Sequence, residues 1–537
     1  MGLTGATMIK KIKNEINENR KYLYLSYLIS ILTMIPQFIV SLPLSLTHLI
    51  FLFLVLLIVL FISKFSKLLF TVFIIYLNLT NIIIGHIYIH WGYSGHIRDR
   101  IEVALASPNY ESLEYLNTYI DYRDIFLVFY TIFILVLLYK FLVHFKHSFK
   151  VIKFLGFILF ITILLPVNFY RNPIEKIEPF SIPYEAYKAK EFFLYPRLRL
   201  EYLRTLPNNS IVDKQKKYDV VVVIQGEAVN KHHMSIYGYD KNTTPFFSSL
   251  QKNDNFYIFN AISPVNETRF SVPILHTKAT VHNFFDAYIH SRSIIGDFRI
   301  HGYDTHWISS QATSGQYDST VAPMSAEANT IFFANGEFDA NTIESSTKTD
   351  KILVDYLNSF KDKNISRPQM YIIHLIGSHF TYEKRYTQDV ALFKNTTNIQ
   401  EQYDNTIYYT DRILKNLFNY FEKSFKDKKI LFVYTSDHGQ VVSEEKHGHG
   451  FFPAFKDEYD VPFVIYSNIK NNRINKLYNN NQKSFFNLEN FNYMIEYISG
   501  INDNANISYS SEVFSLNPKN IFNYNTLDYY RDTKKLK

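Results

Sequence analysis

Residue types that commonly bind metal ions follow three separate apolar segments of strand length. The segments and the residues after them are 218–224 (YDVVVVI) before Glu227, 370–376 (MYIIHLI) before His379, and 430–435 (ILFVYT) before Asp437 and His438. In parallel α/β sheets, ligands bind just beyond the carboxyl ends of the strands. We therefore expect these side chains to meet in one crevice and to form a metal site of the hydrolase or transferase type.

Each of these residues also has a structural interpretation. Glu227 could be a first-turn acid that a helix dipole stabilises. Asp437 and His438, which precede Gly439, could form a structural ion pair at a tight turn. His374 lies inside its segment and is best interpreted as a core histidine. The adjacent Asp437 and His438 at a tight turn, and the coincidence of three segment ends, favour the metal site over these alternatives.

A glycine-rich loop and a hydroxyl-rich segment add further candidates. His447 and His449 lie in KHGHG (446–450), a pattern that suits metal or phosphate contact as well as a surface loop. The segment NETRFSVP (266–273) contains Thr268 and Ser271. A hydroxyl beside a divalent metal ion can ionise near neutral pH, so either residue could be a nucleophile. Spacing alone does not separate the two hydroxyls.

Composition restricts the ligand chemistry and the partners. The 537 residues include no cysteine, which excludes disulfides and thiolate metal sites. His, carboxylate and hydroxyl ligands suit zinc or a harder divalent ion. The net charge of +7 is scattered along the chain and forms no basic stripe with interleaved aromatics. Nucleic-acid binding is therefore disfavoured, and anionic lipid headgroups are a better match.

The first 170 residues are strongly apolar and predict a membrane domain. Five segments approach the ~20 residues that cross a bilayer; they are 22–42, 47–63, 68–88, 125–144 and 151–169. Lysines and arginines flank the amino terminus, the second loop and the fourth loop, which places these on the cytoplasmic side. Everything after residue 170 then lies on the outer face. The first segment is too long for a cleaved signal peptide and is interpreted as an anchor.

The rest of the chain predicts a linker and a catalytic domain. Residues 171–215 are rich in proline and basic aromatic sequence, which suits a membrane-surface linker as well as an ordinary one. Residues 216–537 alternate strand-like and helix-like segments. Strands are expected at 219–224, 257–259, 305–308, 370–376, 430–435 and 462–466, and helices at 244–251, 351–360 and 399–425. This alternation predicts an α/β domain with a mainly parallel central sheet flanked by helices.

Several motifs together resemble the phosphoethanolamine transferases that modify lipopolysaccharide, within the alkaline-phosphatase/sulfatase superfamily. The motifs are GEAVNKHHMSIYGYDKNTTPF (226–246), TRFSVP (268–273), HLIGSH (374–379), YDNTIYYTD (403–411), SDHG (436–439) and VP (461–462). They resemble the family's GE…MSLYGY…TTP, T-x-x-S-V-P, H-x-x-GSH, YDNSI-x-YTD and DHG blocks. The five-segment membrane anchor matches as well, so the resemblance covers nearly the whole chain.

The resemblance implies specific roles for residues. Glu227, Thr268, Asp437 and His438 would bind one catalytic zinc ion, and Thr268 would be the nucleophile. His379 and one of His447 and His449 would bind substrate phosphate or a second zinc ion, with His447 matching the family spacing better. The family's Arg after GE is Lys231 here, which implies a point-charge contact with an anion rather than a bidentate one.

The resemblance also implies the reaction and its location. Phosphoethanolamine would move from phosphatidylethanolamine to lipopolysaccharide or lipooligosaccharide through a phospho-threonine intermediate. The enzyme would be a multi-pass, monomeric protein of the Gram-negative inner membrane with a periplasmic catalytic domain. Because many lipid A-modifying members carry disulfides and this chain has no cysteine, a core-sugar or other acceptor is favoured, with lipid A left open.

Three other functions are compatible with parts of this pattern. A lipoteichoic-acid-type glycerophosphate transferase shares the five-segment plan and a metal-bound threonine, but the SVP and GSH blocks favour phosphoethanolamine. A sulfatase-like hydrolase needs Cys or Ser in C/S-x-P-x-R, and SVPIL (271–275) lacks the arginine. A catalytically inactive membrane scaffold would not need the expected ligands, nearly all of which are present.

Overall fold

The structure is a computed structural model of the chain, and it describes part of the sequence. The described residues are 97–106, 118–144, 192–207, 216–312, 320–335, 349–359 and 366–530, with isolated residues between 10 and 189. The predicted apolar segments 22–42, 47–63 and 151–169 lie outside them, and 68–88 is described only in part. Within the described part of the chain, no helix is both long enough and apolar enough to cross a membrane.

The chain divides into two compact units. One comprises Met1–Glu102 with Leu116–Ala189, and the other comprises Val103–Tyr115 with Lys190–Lys537. The α-helices whose bounds lie within the described residues are α1 (Ile97–Ala106), α2 (Tyr122–His144), α3 (Leu194–Thr205), α4 (Pro245–Leu250), α5 (Thr268–His276), α6 (Phe284–His290), α7 (Ile294–Ile300), α8 (Ala322–Ser325), α9 (Lys351–Ser359), α10 (Ile399–Ser424), α11 (Asn472–Asn481) and α12 (Phe491–Ser499). The strands are β1 (Val220–Gly226), β2 (Phe256–Ile262), β3 (Asp304–Ala312), β4 (Thr330–Asn335), β5 (Gln369–His374), β6 (Ile430–Ser436), β7 (Asp460–Ser467), β8 (Phe486–Asn487), β9 (Glu512–Phe514) and β10 (Ile521–Asn523).

Eight strands form the central sheet of the second unit in the order β4-β3-β5-β1-β6-β7-β2-β8. The pairs from β4 across to β6 are all parallel. Strand β7 is antiparallel to both of its neighbours, β6 and β2, and β8 is parallel to β2. Seven of the eight strands therefore run in one direction, which confirms the predicted α/β fold with a mainly parallel sheet.

The valine run of β1 explains why this strand is central. Val221 and Val223 pack into one hydrophobic cluster, and Val220, Val222 and Ile224 pack into another. Because successive side chains of a strand point to opposite faces, a strand that is apolar at every position is covered on both faces. The hydrophobic core thus has two layers, one on each face of the sheet, and helices cover each layer.

The six predicted strands and three predicted helices are all present, with ends that differ by a few residues. Strands β4, β8, β9 and β10 were not predicted, and they are short or lie at an edge of their sheet. Helix α2 covers the predicted apolar segment 125–144. The order of the sheet places the ends of β1, β5 and β6 side by side, because β1 pairs with both of the others.

Candidate metal centre

The turn after β1 places Glu227 at the carboxyl edge of the sheet. Ala228, the next residue, has a φ of 57°, a left-handed conformation that is uncommon for a residue with a side chain. Its N–H donates to Asp437 Oδ1 at 3.0 Å, and its carbonyl accepts from the Tyr403 hydroxyl at 2.8 Å. The surrounding structure therefore holds a strained turn, as is common at functional sites. Glu227 itself is fully buried.

The end of β6 presents Asp437 and His438 beside Glu227. The Asp437 N–H donates to the Gly226 carbonyl at 3.2 Å, which ties the two strand ends together. His438 Nδ1 lies 2.7 Å from the Gly439 carbonyl. When Nδ1 donates to a carbonyl, Nε2 is left as the acceptor or ligand nitrogen. This Nε2 lies 3.3 Å from Glu227 Oε1 and 3.4 Å from Asp437 Oδ2.

Thr268 is the first residue of α5, and its hydroxyl joins this cluster. Its Oγ1 lies 3.1 Å from Glu227 Oε2 and 3.2 Å from His438 Nε2. The other candidate hydroxyl, that of Ser271, is fully buried and donates to the backbone carbonyl of Asp437 at 2.5 Å. The structure thus separates two hydroxyls that spacing could not separate. Thr268 faces the ligand atoms, and Ser271 anchors α5 to the end of β6.

The end of β5 approaches Glu227 closely because it contains a glycine. A Cβ at Gly377 would lie 2.8 Å from the carbonyl oxygen of Glu227 and 2.9 Å from its nitrogen, and the φ of Gly377 is 51°. The next N–H, that of Ser378, donates to this same carbonyl at 2.9 Å. The buried Asp350 accepts from the N–H groups of Ile376 and Gly377. A side chain at position 377 would therefore move Glu227 or the β5 end.

The electrostatics of the cluster favour a bound cation. Burial and the neighbouring charge of Asp437 raise the pKa of Glu227 to about 7. Burial alone would lower the pKa of His438, but the carboxylates of Asp437 and Glu227 raise it to about 9. The Glu227 carboxyl and the His438 imidazole thus tend to retain protons, which a divalent cation would displace.

The donor set matches a metal site. One ligand atom from each of Glu227, Asp437 and His438 lies within 4.8 Å of the others. Within the described part of the chain, the buried Asp437 Oδ2 has no hydrogen-bond partner, although buried carboxylate oxygens usually have one. Together with Thr268 Oγ1 these atoms make an oxygen-rich set with one nitrogen. Such a set can hold a metal ion and can place a hydroxyl against it.

The three remaining predicted histidines, His379, His447 and His449, have different surroundings. His449 packs its ring against that of His438, with centroids 4.0 Å apart. The ring of His447 lies 6.2 Å from that of Tyr382. His379 is partly buried, and burial together with the charges of Arg385 and His438 lowers its pKa well below the usual value. The structure therefore brings His449, rather than the expected His447, into contact with a predicted ligand.

Lys231 is bound within the fold. Its ammonium contacts Asp460 Oδ1 at 3.0 Å, Asn260 Oδ1 at 2.9 Å and the Ala261 carbonyl at 3.0 Å. These three acceptors match the three N–H donors of a lysine. The structure thus places the Lys231 ammonium in a buried ion pair and does not bring it into the Glu227 cluster.

One further residue touches the cluster and was not predicted. Gln311, near the end of β3, donates from Nε2 to Glu227 Oε2 at 3.0 Å and to the Leu375 carbonyl at 3.0 Å. It therefore orients the carboxylate of Glu227. The sequence offers one signal for Gln311, its position shortly after the predicted strand 305–308.

The family model described as Sulfatase matches residues 219–491, about half of the chain. The chain is 29% identical over 332 residues to the putative transferase YhbX of Escherichia coli, which covers 60% of this chain and 56% of that protein. It is 25% identical over 286 residues to the Kdo(2)-lipid A phosphoethanolamine 7''-transferase of Salmonella typhimurium, which covers 49% of this chain and 48% of that protein. The chain thus spans about half the length of the curated relatives it matches.

A solved structure shares the fold over most of the chain. It is the integral membrane lipooligosaccharide phosphoethanolamine transferase A of Neisseria meningitidis, with a TM-score of 0.59 at 18% identity, covering 88% of this chain and 95% of that one. At this identity the match concerns the fold alone. The resemblance drawn from the motifs is confirmed by the family model and the sequence relatives.

Proposed function

The chain belongs to the sulfatase family, and we propose that it is a phosphoethanolamine transferase with Thr268 as its nucleophile. The observation that carries the proposal is the position of Thr268 Oγ1, 3.1 Å from Glu227 Oε2 and 3.2 Å from His438 Nε2. A threonine hydroxyl is a weak nucleophile unless a neighbouring group or a metal ion activates it. The transferase relative named above supports phosphoethanolamine as the group transferred.

Glu227, Asp437, His438 and Thr268 would hold one zinc ion. Two carboxylates, an imidazole and a hydroxyl suit zinc in a chain that has no cysteine. When bound, the ion lowers the pKa of a coordinated hydroxyl and offsets negative charge on a phosphoryl group. A second zinc ion near His379, His447 and His449 is a further part of this proposal.

The protein's own residues then position the reaction. Thr268 begins α5, so its oxygen lies at the positive end of a helix dipole, which favours negative charge there. Thr268 Oγ1 attacks the phosphorus of phosphatidylethanolamine, and the bond from phosphorus to the diacylglycerol oxygen breaks. The proton lost from Thr268 is transferred to the diacylglycerol oxygen, and phosphoethanolamine remains bonded to Thr268.

The second half of the reaction restores the enzyme. A hydroxyl or phosphate oxygen of lipopolysaccharide or lipooligosaccharide attacks the same phosphorus, the bond to Thr268 Oγ1 breaks, and the proton lost by the acceptor returns to Thr268 Oγ1. The contact with His438 makes His449 the best placed of the two loop histidines to meet the phosphoryl group or a second ion. His379, which its lowered pKa keeps neutral, can offer a ring nitrogen to a second metal ion or a ring N–H to the phosphoryl group. Lys231, whose ammonium is bound to Asp460, supports the fold beneath the site.

The proposed location follows from the apolar segments. Residues 1–170 form the five-segment membrane domain, 171–215 the surface linker and 216–537 the periplasmic catalytic domain. A monomer in the Gram-negative inner membrane would meet both a phospholipid donor and a lipid-linked acceptor in one plane. Confinement of both substrates to the membrane surface raises their effective concentration at the site.

Thr268→Val tests the proposal, because valine keeps the shape of threonine and removes the hydroxyl. We expect the wild-type protein, incubated with phosphatidylethanolamine, to gain the mass of one phosphoethanolamine unit on the peptide that contains Thr268. We expect lipopolysaccharide from cells with the wild-type protein, and not from cells with the variant, to gain the same mass. Thr280→Val is the matched control, since that hydroxyl donates to Asn283 at an exposed position. Wild-type product formation by Thr268→Val would disprove the nucleophile assignment.

A further inference from the structure

A second group of potential ligands lies in the first compact unit, among residues that the proposed reaction does not use. His86 Nδ1 is 2.7 Å from Asp124 Oδ1, and His90 Nε2 is 2.9 Å from Asp124 Oδ2. One ligand atom from each residue lies within 4.8 Å of the others. The two imidazole rings have centroids 4.7 Å apart. Two nitrogens and a carboxylate therefore converge on one point.

The local structure explains why these three side chains meet. His86 and His90 lie in helical backbone four residues apart, so they occupy one face of a helix. Asp124 is in the first turn of α2, and only 8% of it is exposed. The N–H of Asp121 donates to Asp124 Oδ2 at 3.0 Å, which fixes the carboxylate. The adjacent cation Arg123 is paired with Asp121 at 2.6 Å.

We propose that His86, His90 and Asp124 form a binding site for a divalent transition-metal ion, with Zn²⁺ as the best match. Imidazole ligands disfavour Ca²⁺ and Mg²⁺, which prefer oxygen, and two histidines with one carboxylate are a donor set that zinc accepts. Three protein ligands leave one coordination position for water or an anionic group. The site goes beyond the proposed transferase reaction and does not depend on it.

The proposed membrane topology gives this site a consequence. His86 and His90 are at the end of segment 68–88, and Asp124 precedes segment 125–144. In the proposed topology, all three residues therefore lie where these two segments reach the outer face of the membrane. An ion there would be open to exchange with the periplasm and would join the third and fourth segments.

Since one Asp with two imidazole donors can also form a metal-free hydrogen-bonded group, the experiment must separate the metal-bound state from the metal-free state.

The test uses the full chain in detergent, stripped with a chelator and reloaded with Zn²⁺ or Co²⁺. Asp437→Ala, His438→Ala and His449→Ala together first remove the candidate catalytic site and the proposed second zinc site, so that the remaining metal can be assigned. His86→Asn with His90→Gln is then added, because these amides keep an N–H donor toward Asp124 at the matching positions and are poor zinc ligands. His282→Gln is the matched control, since His282 is exposed and pairs with Glu512. Metal content by mass spectrometry and the Co²⁺ ligand-field spectrum are the measurements.

The protein that lacks only the candidate catalytic site and the proposed second zinc site is the background protein, and we expect it to bind one equivalent of metal ion. Adding His86→Asn and His90→Gln to it should weaken metal binding by at least about 100-fold. The His282→Gln control should retain the full equivalent. A background protein that binds no metal after reloading would overturn the proposal without any further variant. Equal metal content in the double variant would overturn it as well, and would leave the group as a hydrogen-bonded link between the two helices.

Discussion

Thr268 Oγ1 and His438 Nε2 face each other at 3.2 Å, between the first residue of α5 and the turn after β6. Ser271, one helical turn further along α5, donates its hydroxyl to the carbonyl of Asp437. The two hydroxyls of the TRFSVP segment thus have different positions relative to the same strand end. One is available for chemistry, and the other fixes the distance between α5 and β6.

This difference predicts that the two hydroxyls respond differently to substitution. Thr268→Ser keeps a hydroxyl and should retain measurable transfer, whereas Ser271→Ala should reduce kcat by about 10-fold through a displaced α5. Ser271→Ala should also lower stability by about 1–3 kcal/mol, because it leaves a buried carbonyl with one donor fewer. Transfer rates with a phosphatidylethanolamine donor and thermal unfolding give the two quantities. Formation of the covalent adduct by Ser271→Ala, and its absence from Thr268→Ala, would separate the roles; the reverse pattern would contradict them.

Much of this site could be predicted from the sequence because strand ends in parallel sheets share an edge. The valine run of β1 and the residues after it indicated both a doubly covered strand and the position of Glu227. The partner of Lys231 could not be predicted, because its ion pair with Asp460 depends on the tertiary fold and not on a local pattern. Gln311 was missed because an amide carries no metal-ligand signal in a sequence.

The choice between His447 and His449 likewise depends on backbone geometry that residue spacing does not determine. Gly448 and Gly450 have φ values of 113° and 71°, and these turns direct the His449 ring onto His438. We therefore predict that His449→Ala lowers kcat/KM for transfer by at least about 100-fold, as loss of a positioned acid, base or phosphate contact does. His447→Ala, the matched control in the same loop, should lower it by less than about 10-fold. A larger effect at His447 would instead support the assignment drawn from family spacing.

Gly377 offers a test of how the β5 end positions Glu227. Alanine there would place a Cβ 2.8 Å from the Glu227 carbonyl oxygen and 3.1 Å from its Cβ. We expect Gly377→Ala to lower kcat by at least about 10-fold, because small displacements of catalytic groups are costly. Zinc affinity should also fall, since Glu227 is a proposed ligand.

The control for this prediction is Gly238→Ala. Gly238 also has a positive φ, 95°, but a Cβ there would have no heavy atom within 4 Å. Both alanines should cost about 1–2 kcal/mol of stability through the left-handed backbone. Only Gly377→Ala should change turnover and metal affinity, which titration with Zn²⁺ and steady-state kinetics would measure. Equal losses in both variants would point to backbone strain alone.

Glu496 and Asp297 predict a pH dependence of stability away from the metal centre. Both are buried, and burial with the charge of Asp297 raises the pKa of Glu496 to about 8. An unfolded glutamate has a pKa of about 4.3, so between these values the folded protein binds more protons than the unfolded one. Stability therefore falls as pH rises through this range, and the loss is complete above the folded pKa.

Glu496→Gln should remove this slope, because the amide resembles the protonated acid and can still accept from Asn502, which lies 3.2 Å away. We expect the melting temperature of the variant relative to the wild type to rise between pH 6 and pH 9 by about 3–4 °C, equivalent to about 2–3 kcal/mol. Thermal unfolding in detergent across this range measures the difference. Glu201→Gln changes an exposed residue that is paired with Arg197. Its melting temperature plotted against pH should run parallel to that of the wild type. Parallel curves for Glu496→Gln as well would mean that Glu496 is already ionised at neutral pH in the folded protein.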